Sequence, residues 1–213
     1  SYTTFAYSDF SMTEGADAFT INVTVTNTGA VAGKDVVEVY YNPPYTNGGI
    51  EKASANLIAF DKTGTLEPGA SETLSFTIKL EDMASYDTYG EGAYVLEAGD
   101  YVISINADSH TVLDSQQYIV PETISYKDGR SSDVTPATNQ FAFAEGNVPS
   151  LSRADGFANY DEATAAPTNL SLDEESKAAF INNNNYDPTQ YNNPDDVMPT
   201  TGAKNGLKLG DLR

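Results

Sequence analysis

Thirty-one carboxylates and one histidine are the first groups of this chain to weigh for moving protons. Hydrolysis of a glycosidic bond needs two carboxyl groups held about 5–10 Å apart across a sugar. Acids close in sequence are Asp35/Glu38, Glu81/Asp82 and Asp195/Asp196. Asp35 and Glu38 fall on opposite faces of a strand, and the other pairs read as a turn and a loop. Among so many acids such pairs arise by chance, so none is assigned to catalysis. A serine triad, a zinc site or a histidine base would have to use His110, which sits in Asp108-Ser109-His110-Thr111. That setting reads as a turn between strands, and the Gly-x-Ser-x-Gly elbow of a hydrolase is missing. With Cys 0 there is neither a thiol nucleophile nor a thiolate metal site. Gly29-Ala-Val-Ala-Gly33-Lys34 is one residue short of a phosphate loop, and Asp35 stands where Ser or Thr must hold magnesium. It reads as a turn joining two strands. No Asp-x-Asp/Asn-x-Asp/Asn-Gly calcium loop occurs either. The chain therefore offers no catalytic residue, metal site or cofactor site.

Binding is better represented. With Tyr 14 and Trp 0, tyrosine is the ring available for stacking on a sugar. Tyr40, Tyr41 and Tyr45 cluster about the segment from Asn42 to Asn56, which is too rich in Pro, Asn and Gly for a strand and long for a hairpin loop. Long loops in compact domains carry contacts. The candidate binding residues are therefore Tyr40, Tyr41, Tyr45, Asn47, Glu51 and Lys52, as a domain interface or a sugar contact. The net charge of −20 opposes phosphate backbones and anionic bilayers, so neither nucleic acid nor membrane is expected as a partner. The acids are spread along the chain: residues 1–120 hold 4 Lys/Arg against 17 Asp/Glu, and residues 121–213 hold 7 against 14. No apolar run is long enough to cross a bilayer. Nothing in the sequence assigns a compartment.

The elements that would position these residues fall into two grammars. Phe19, Ile21, Val23 and Val25 alternate with polar residues, as do Val37, Val39 and Tyr41, then Leu74, Phe76, Ile78 and Leu80, then Tyr101, Ile103 and Ile105. This is the period of half-buried strands. Weaker strands are expected over Phe5–Met12, Leu57–Asp61, Tyr94–Leu96 and Thr111–Val120, the last closed by Pro121. Seven or eight short strands separated by turns predict an all-β antiparallel sandwich over residues 1–120. Residues 121–213 carry no strand period. They predict a long, mostly irregular extension with one helix near 172–181, capped by Ser171 with Glu174 three residues on. Phe141, Phe143, Leu151, Phe157, Tyr160 and Phe180 make this extension too apolar to be free, so it is expected to lie along another surface.

Several segments resemble a known family. Ser1-Tyr2-Thr3-Thr4-Phe5, Val23 to Gly29, Ala32 to Tyr40, Asn56 to Thr63, Leu66 to Ser71, Asp82 to Asp87 and Glu97 to Tyr101 are similar, in order, to the fibronectin type III-like domain of glycoside hydrolase family 3. Leu151 to Asp155 and Asp196 to Leu207 resemble members with permuted domain order, in which an α/β sandwich precedes this domain and a (β/α)8 barrel follows. The resemblance implies that residues 121–213 are a connector toward the barrel. It implies partners on the same parent chain, the catalytic barrel and the α/β sandwich, and no cofactor. Its nucleophile and acid/base residue belong to those other domains, so no catalytic residue transfers to this chain. The parent would be a retaining β-glucosidase. The alternative is an autonomous carbohydrate-binding module, which requires solvent-facing rings at Tyr40, Tyr41 and Tyr45.

Overall fold

Alternating side chains become two sheets in the computed structural model, which describes residues 2–140, 149–166 and 172–178. Ten strands form in chain order: β1 (Phe5–Glu14), β2 (Ala18–Asn27), β3 (Val36–Asn42), β4 (Asn56–Lys62), β5 (Ser71–Lys79), β6 (Ser85–Tyr86), β7 (Tyr94–Leu96), β8 (Gly99–Asn106), β9 (Val112–Val120) and β10 (Ile124–Tyr126). One sheet has the order β1-β2-β5 and the facing sheet β4-β3-β8-β9; β10-β7-β6 make a small third sheet. All pairings are antiparallel. A short 3-10 turn at Leu80–Met83, a tight turn at Ala154–Gly156 and the one-turn helix α1 (Tyr160–Ala163) accompany the strands. The molecule is thus mostly β, an antiparallel sandwich, as the alternation predicts.

The alternating residues meet in one core. Phe19, Ile21, Val23 and Val25 of β2 share one core with Val37, Val39 and Tyr41 of β3 and Tyr101, Ile103 and Ile105 of β8; all are buried. Phe19 stacks on Tyr118 with ring centroids 4.9 Å apart. Fully burying each such side chain contributes about 1.5–3 kcal/mol before the chain entropy is subtracted. A bulge between Ser8 and Ser11 in β1 turns Phe10 toward this core, and Asp9 takes the left-handed conformation the bulge requires, φ 54°.

The strand predicted to end at Leu80 stops at Lys79, because Leu80 opens the 3-10 turn. Two strands lack a sequence signal: β6 is two residues long, and β10 lies beyond Pro121, where no period is visible. Both pair with β7, so three short strands form what none could form alone.

The glycine-rich stretch after β2 is a structural turn. Asn27, fully buried, accepts from the Gly29 N–H (3.0 Å) and the Thr3 hydroxyl (2.8 Å), and donates to Val31 O (2.9 Å) and Leu66 O (2.8 Å). Four bonds satisfy the whole amide. A Cβ on Gly29 would lie 2.8 Å from the Thr4 nitrogen, so glycine is needed for this approach. His110 sits in the turn between β8 and β9, where Asp108 Oδ1 accepts the N–H groups of His110 and Thr111 at 2.8 Å.

The chain divides into two units, Ser1–Ala165 and Ala166–Arg213. In the second, residues 174–178 are helical. Asp173 caps this helix: its Oδ1 accepts the Ser176 N–H at 2.7 Å. Ser171, the predicted cap, and residues 179–181 lie outside the described residues, as do Asp195 and Asp196.

Candidate functional site

The segment between β3 and β4 is held from below by Lys52. Its ammonium donates to Pro44 O at 2.7 Å and forms an ion pair with Glu97, while the residue is only 7% exposed. Asn56 Nδ2 donates to Ala53 O at 2.9 Å and closes the loop on itself. Gly99 passes so near Pro44 that a Cβ there would sit 3.1 Å from the proline ring. Lys52, expected as a contact residue, is therefore the anchor of the loop and presents no charge to a partner.

From the other side the loop receives residues 152–155. Glu51 accepts from the Arg153 N–H (2.8 Å), the Ser152 hydroxyl (2.8 Å) and the Tyr45 hydroxyl (3.2 Å). Asn47 Nδ2 donates to Asp155 Oδ1 at 2.7 Å. The Arg153 guanidinium lies over the Tyr45 ring, 4.8 Å from its centroid, a cation–π contact. Partial burial of Glu51 pushes its pKa up, but the donors from Arg153, Ser152, Tyr45 and the Lys52 backbone outweigh it and hold the carboxyl below its usual range. Three successive residues then take left-handed backbone, Asp155 (φ 51°), Gly156 (φ 68°) and Phe157 (φ 65°). For Asp155 and Phe157 that conformation costs about 1–2 kcal/mol each, which the surrounding contacts must offset.

Tyr45, Asn47 and Glu51 are thus brought together, and Tyr40 and Tyr41 are not part of that cluster. Tyr41 points into the sandwich beside Tyr101, with ring centroids 6.4 Å apart. Tyr40 is on the outer side of β3, 9% exposed, and donates to Glu38 Oε2 at 3.1 Å. Burial raises both phenols, with the Glu38 contact adding to the effect at Tyr40. Solvent-facing rings, which a sugar platform would require here, are absent at both positions. Tyr45 carries Arg153 on one face.

A groove of about 980 Å³ runs beside the loop, lined by Gly48–Glu51, residues 86–91 and residues 149–152. Its acids already act as acceptors. Asp87 takes the N–H groups of Gly90 (2.9 Å) and Glu91 (2.8 Å), and Glu91 pairs with Lys127 at 2.5 Å. The Lys127 hydrogen bond and charge hold the Glu91 carboxyl below its usual range. A general acid in glycoside hydrolysis needs the opposite, a carboxyl kept protonated near neutral pH. Outside the groove, Glu81 accepts from the Ser131 hydroxyl and from its N–H (2.7 Å), which lower its pKa too. Among the described residues no group of three or more His, Asp or Glu could hold a metal ion.

The residues that complete the site, Ser152, Arg153 and Asp155, are about a hundred positions away from Glu51 and Asn47. No spacing rule links them. The only signal at Leu151–Asp155 is the family resemblance.

Residues 35–109 match the fibronectin type III-like domain family. The chain is 38% identical over 119 residues to β-glucosidase A of Butyrivibrio fibrisolvens, a stretch covering 47% of this chain and 14% of that enzyme. It is 35% identical over 130 residues to the β-glucosidase of Kluyveromyces marxianus, covering 60% of this chain and 15% of the enzyme. Among solved structures, β-glucosidase 3B from Thermotoga neapolitana in complex with α-D-glucose superposes with a TM-score of 0.54 at 34% identity, over 59% of this chain and 17% of that one. The chain spans about one-seventh of the length of the curated relatives it matches. The sandwich is a fibronectin type III-like domain. It is homologous to segments of β-glucosidases of glycoside hydrolase family 3.

Proposed function

We propose that this chain is the non-catalytic structural module of a family 3 β-glucosidase with permuted domain order, and that it buttresses the catalytic barrel and the α/β sandwich of the same polypeptide. Residues 1–120 are the sandwich in this reading, and residues 121–213 are the connector toward the barrel. The parent hydrolyses terminal β-linked glucosyl residues with retention, without a metal or organic cofactor, using a carboxylate pair that lies outside this chain.

The observation that carries the reading is the state of the acids around the loop. Glu51, Asp87, Glu91 and Glu97 serve as acceptors or ion-pair partners that fix local structure. Donors hold the Glu51 and Glu91 carboxyls below their usual range, so these two stay ionised and stabilise the fold rather than deliver a proton to a leaving group. The share of each relative that aligns supports the same reading, because most of a β-glucosidase's length lies beyond this segment.

Two assays test it together. The 213-residue chain is incubated with an aryl β-glucoside and run in native gels containing glucans, and residues 1–166 are deleted from the longer polypeptide. Expected are no hydrolysis, no retardation, and loss of folded glucosidase from the deletion. Hydrolysis by the chain alone would overturn the reading. Retardation with an unaffected deletion variant would transfer the function to carbohydrate binding.

A further inference from the structure

The two outer faces of the sandwich differ in kind. Where β2 and β5 pair in the β1-β2-β5 sheet the outward positions are polar, mostly hydroxyls: Thr20 stands opposite Thr77, Asn22 opposite Ser75 and Thr24 opposite Thr73. The Thr24 and Thr73 hydroxyls bond each other at 2.9 Å, and those of Thr26 and Ser71 at 2.7 Å. This is a strand surface made for water, with polar residues out and apolar residues in.

The β4-β3-β8-β9 sheet breaks that alternation. Register places Phe60 beside Glu38, Leu57 beside Tyr40, Val102 beside Asn42 and Ile119 beside Asp100, all on the outer side. Phe60 is 68% exposed, Ile119 63%, Leu57 48% and Val102 40%. Tyr40 sits between them and is already nearly buried by its neighbours. Together with Tyr40 of β3, Leu57 and Phe60 of β4, Val102 of β8 and Ile119 of β9 form a diagonal apolar stripe across all four strands. Strand propensity does not explain it, since the other sheet satisfies the same propensity with threonine. Contiguous exposed apolar surface of this kind marks an interaction site.

We propose that this stripe is the surface on which a further domain of the same, longer polypeptide docks, and that the docking domain presents an apolar patch with a lysine or arginine opposite Glu38. The proposal rests on reading the chain as a module of a multidomain β-glucosidase, and it says which face that module uses. Two observations select the occupant. The chain spans about one-seventh of its curated relatives, so the relatives carry ample further surface. A second copy is disfavoured because two chains of net charge −20 would meet face to face. Glu38 lies within the stripe, and covering it with apolar surface alone would desolvate a carboxylate without a counter-charge, so the partner must supply one.

The test compares Phe60→Asp and Ile119→Asp with Thr24→Asp and Thr73→Asp on the hydroxyl face, each in the 213-residue chain and in the longer polypeptide. In the 213-residue chain all four variants are expected to melt within about 2 °C of the parent, because none of these side chains is in the core. In the longer polypeptide the two stripe variants are expected to lower Tm by about 10 °C and to shorten the half-life of glucosidase activity at least tenfold, while the hydroxyl-face variants do neither. Indifference of the longer polypeptide to Phe60→Asp and Ile119→Asp overturns the docking face. If deleting residues 1–166 nevertheless abolishes activity, the module reading survives and only the face is wrong. Equal losses in the isolated chain would make the stripe part of the domain's own fold and also overturn the proposal. So would a dimer of the isolated chain in sedimentation that Phe60→Asp dissolves, which would make the occupant a second copy. A reading frame that encodes no further domain overturns both proposals.

Discussion

The sandwich and the segment that follows Pro121 are held by different forces. Among the described residues, every buried hydrophobic side chain lies between Phe19 and Val120. Among the described residues from 121 to 165 none is buried, although Tyr126 packs partly against the core. That segment is held instead by polar latches. Arg130 makes a two-pronged bond to Asp133, 3.0 Å at each prong, and covers the Tyr94 ring at 3.7 Å. Ser131 docks on Glu81, and Ser152 and Arg153 on Glu51. Apolar burial scales with area and does not respond to protons or salt near neutral pH. Exposed polar latches contribute about 0–1 kcal/mol each and are open to both. A chain built this way pairs a rigid body with a following segment whose attachment can be adjusted locally.

The largest expected effect uses one kind of change in both regions. Ile103→Ala removes a fully buried side chain and should destabilise the chain by about 4 kcal/mol, a fall in Tm of roughly 10 °C. Leu151→Ala, at a residue 44% exposed, should change stability by less than about 0.5 kcal/mol. Thermal melts of the two variants check the contrast. Comparable losses would mean that the latched segment shares the core after all.

A pair of asparagines sharpens it. Asn27→Ala removes all four bonds of a fully buried amide, to Val31 O, Leu66 O, the Gly29 N–H and the Thr3 hydroxyl. A loss of about 3 kcal/mol is expected. Asn47→Ala removes one exposed bond to Asp155, and a loss of about 0.5 kcal/mol is expected, read as faster hydrogen exchange around residue 155 with Tm nearly unchanged. Denaturant titration with parallel exchange measurements separates the two.

The same division explains what could be read without coordinates. Strands with a buried face announce themselves, because burial on one side forces a two-residue period; β2, β5 and β8 are plain from Phe19, Leu74 and Tyr101 onward. β10 is silent because Ile124, Ser125 and Tyr126 are three residues without a buried member, and their pairing depends on β7 rather than on their own pattern. The loop after β3 was marked by its Pro, Asn and Gly content, and Tyr45, Asn47 and Glu51 do converge there. The role of Lys52 was hidden, since a lysine that turns inward to a carbonyl and Glu97 looks in sequence like one that turns outward. Tyr40 and Tyr41 show the same limit: adjacent tyrosines on a strand point to opposite faces, so a shared platform at these two positions conflicts with strand geometry. Ser152 and Arg153 could not be inferred from spacing, because contacts across a hundred residues leave no local trace.

Acid should release the latched segment while the sandwich stays folded, and Glu51 is the group that decides it. Donors hold its pKa below the value it has in the unlatched chain. The ionised form is therefore favoured by latching, and that contribution is fully present above the unlatched pKa, about 4.3 for a free glutamate. It is lost as pH falls through the lowered value. Protonation also places a donor where the Ser152 hydroxyl and the Arg153 N–H already donate, so the contact is weakened by geometry as well as charge. Between about pH 7 and pH 3, protease cleavage and amide exchange at residues 149–165 are expected to rise several-fold, with the protection of β2, β3 and β8 changing far less. Glu51→Gln should bring that release to neutral pH, because the amide keeps one acceptor oxygen and loses the charge, and it should flatten the pH dependence of the segment. Persistence of the pH dependence in Glu51→Gln would assign the titration to another latch, with Glu81 under Ser131 the next to examine through Glu81→Gln.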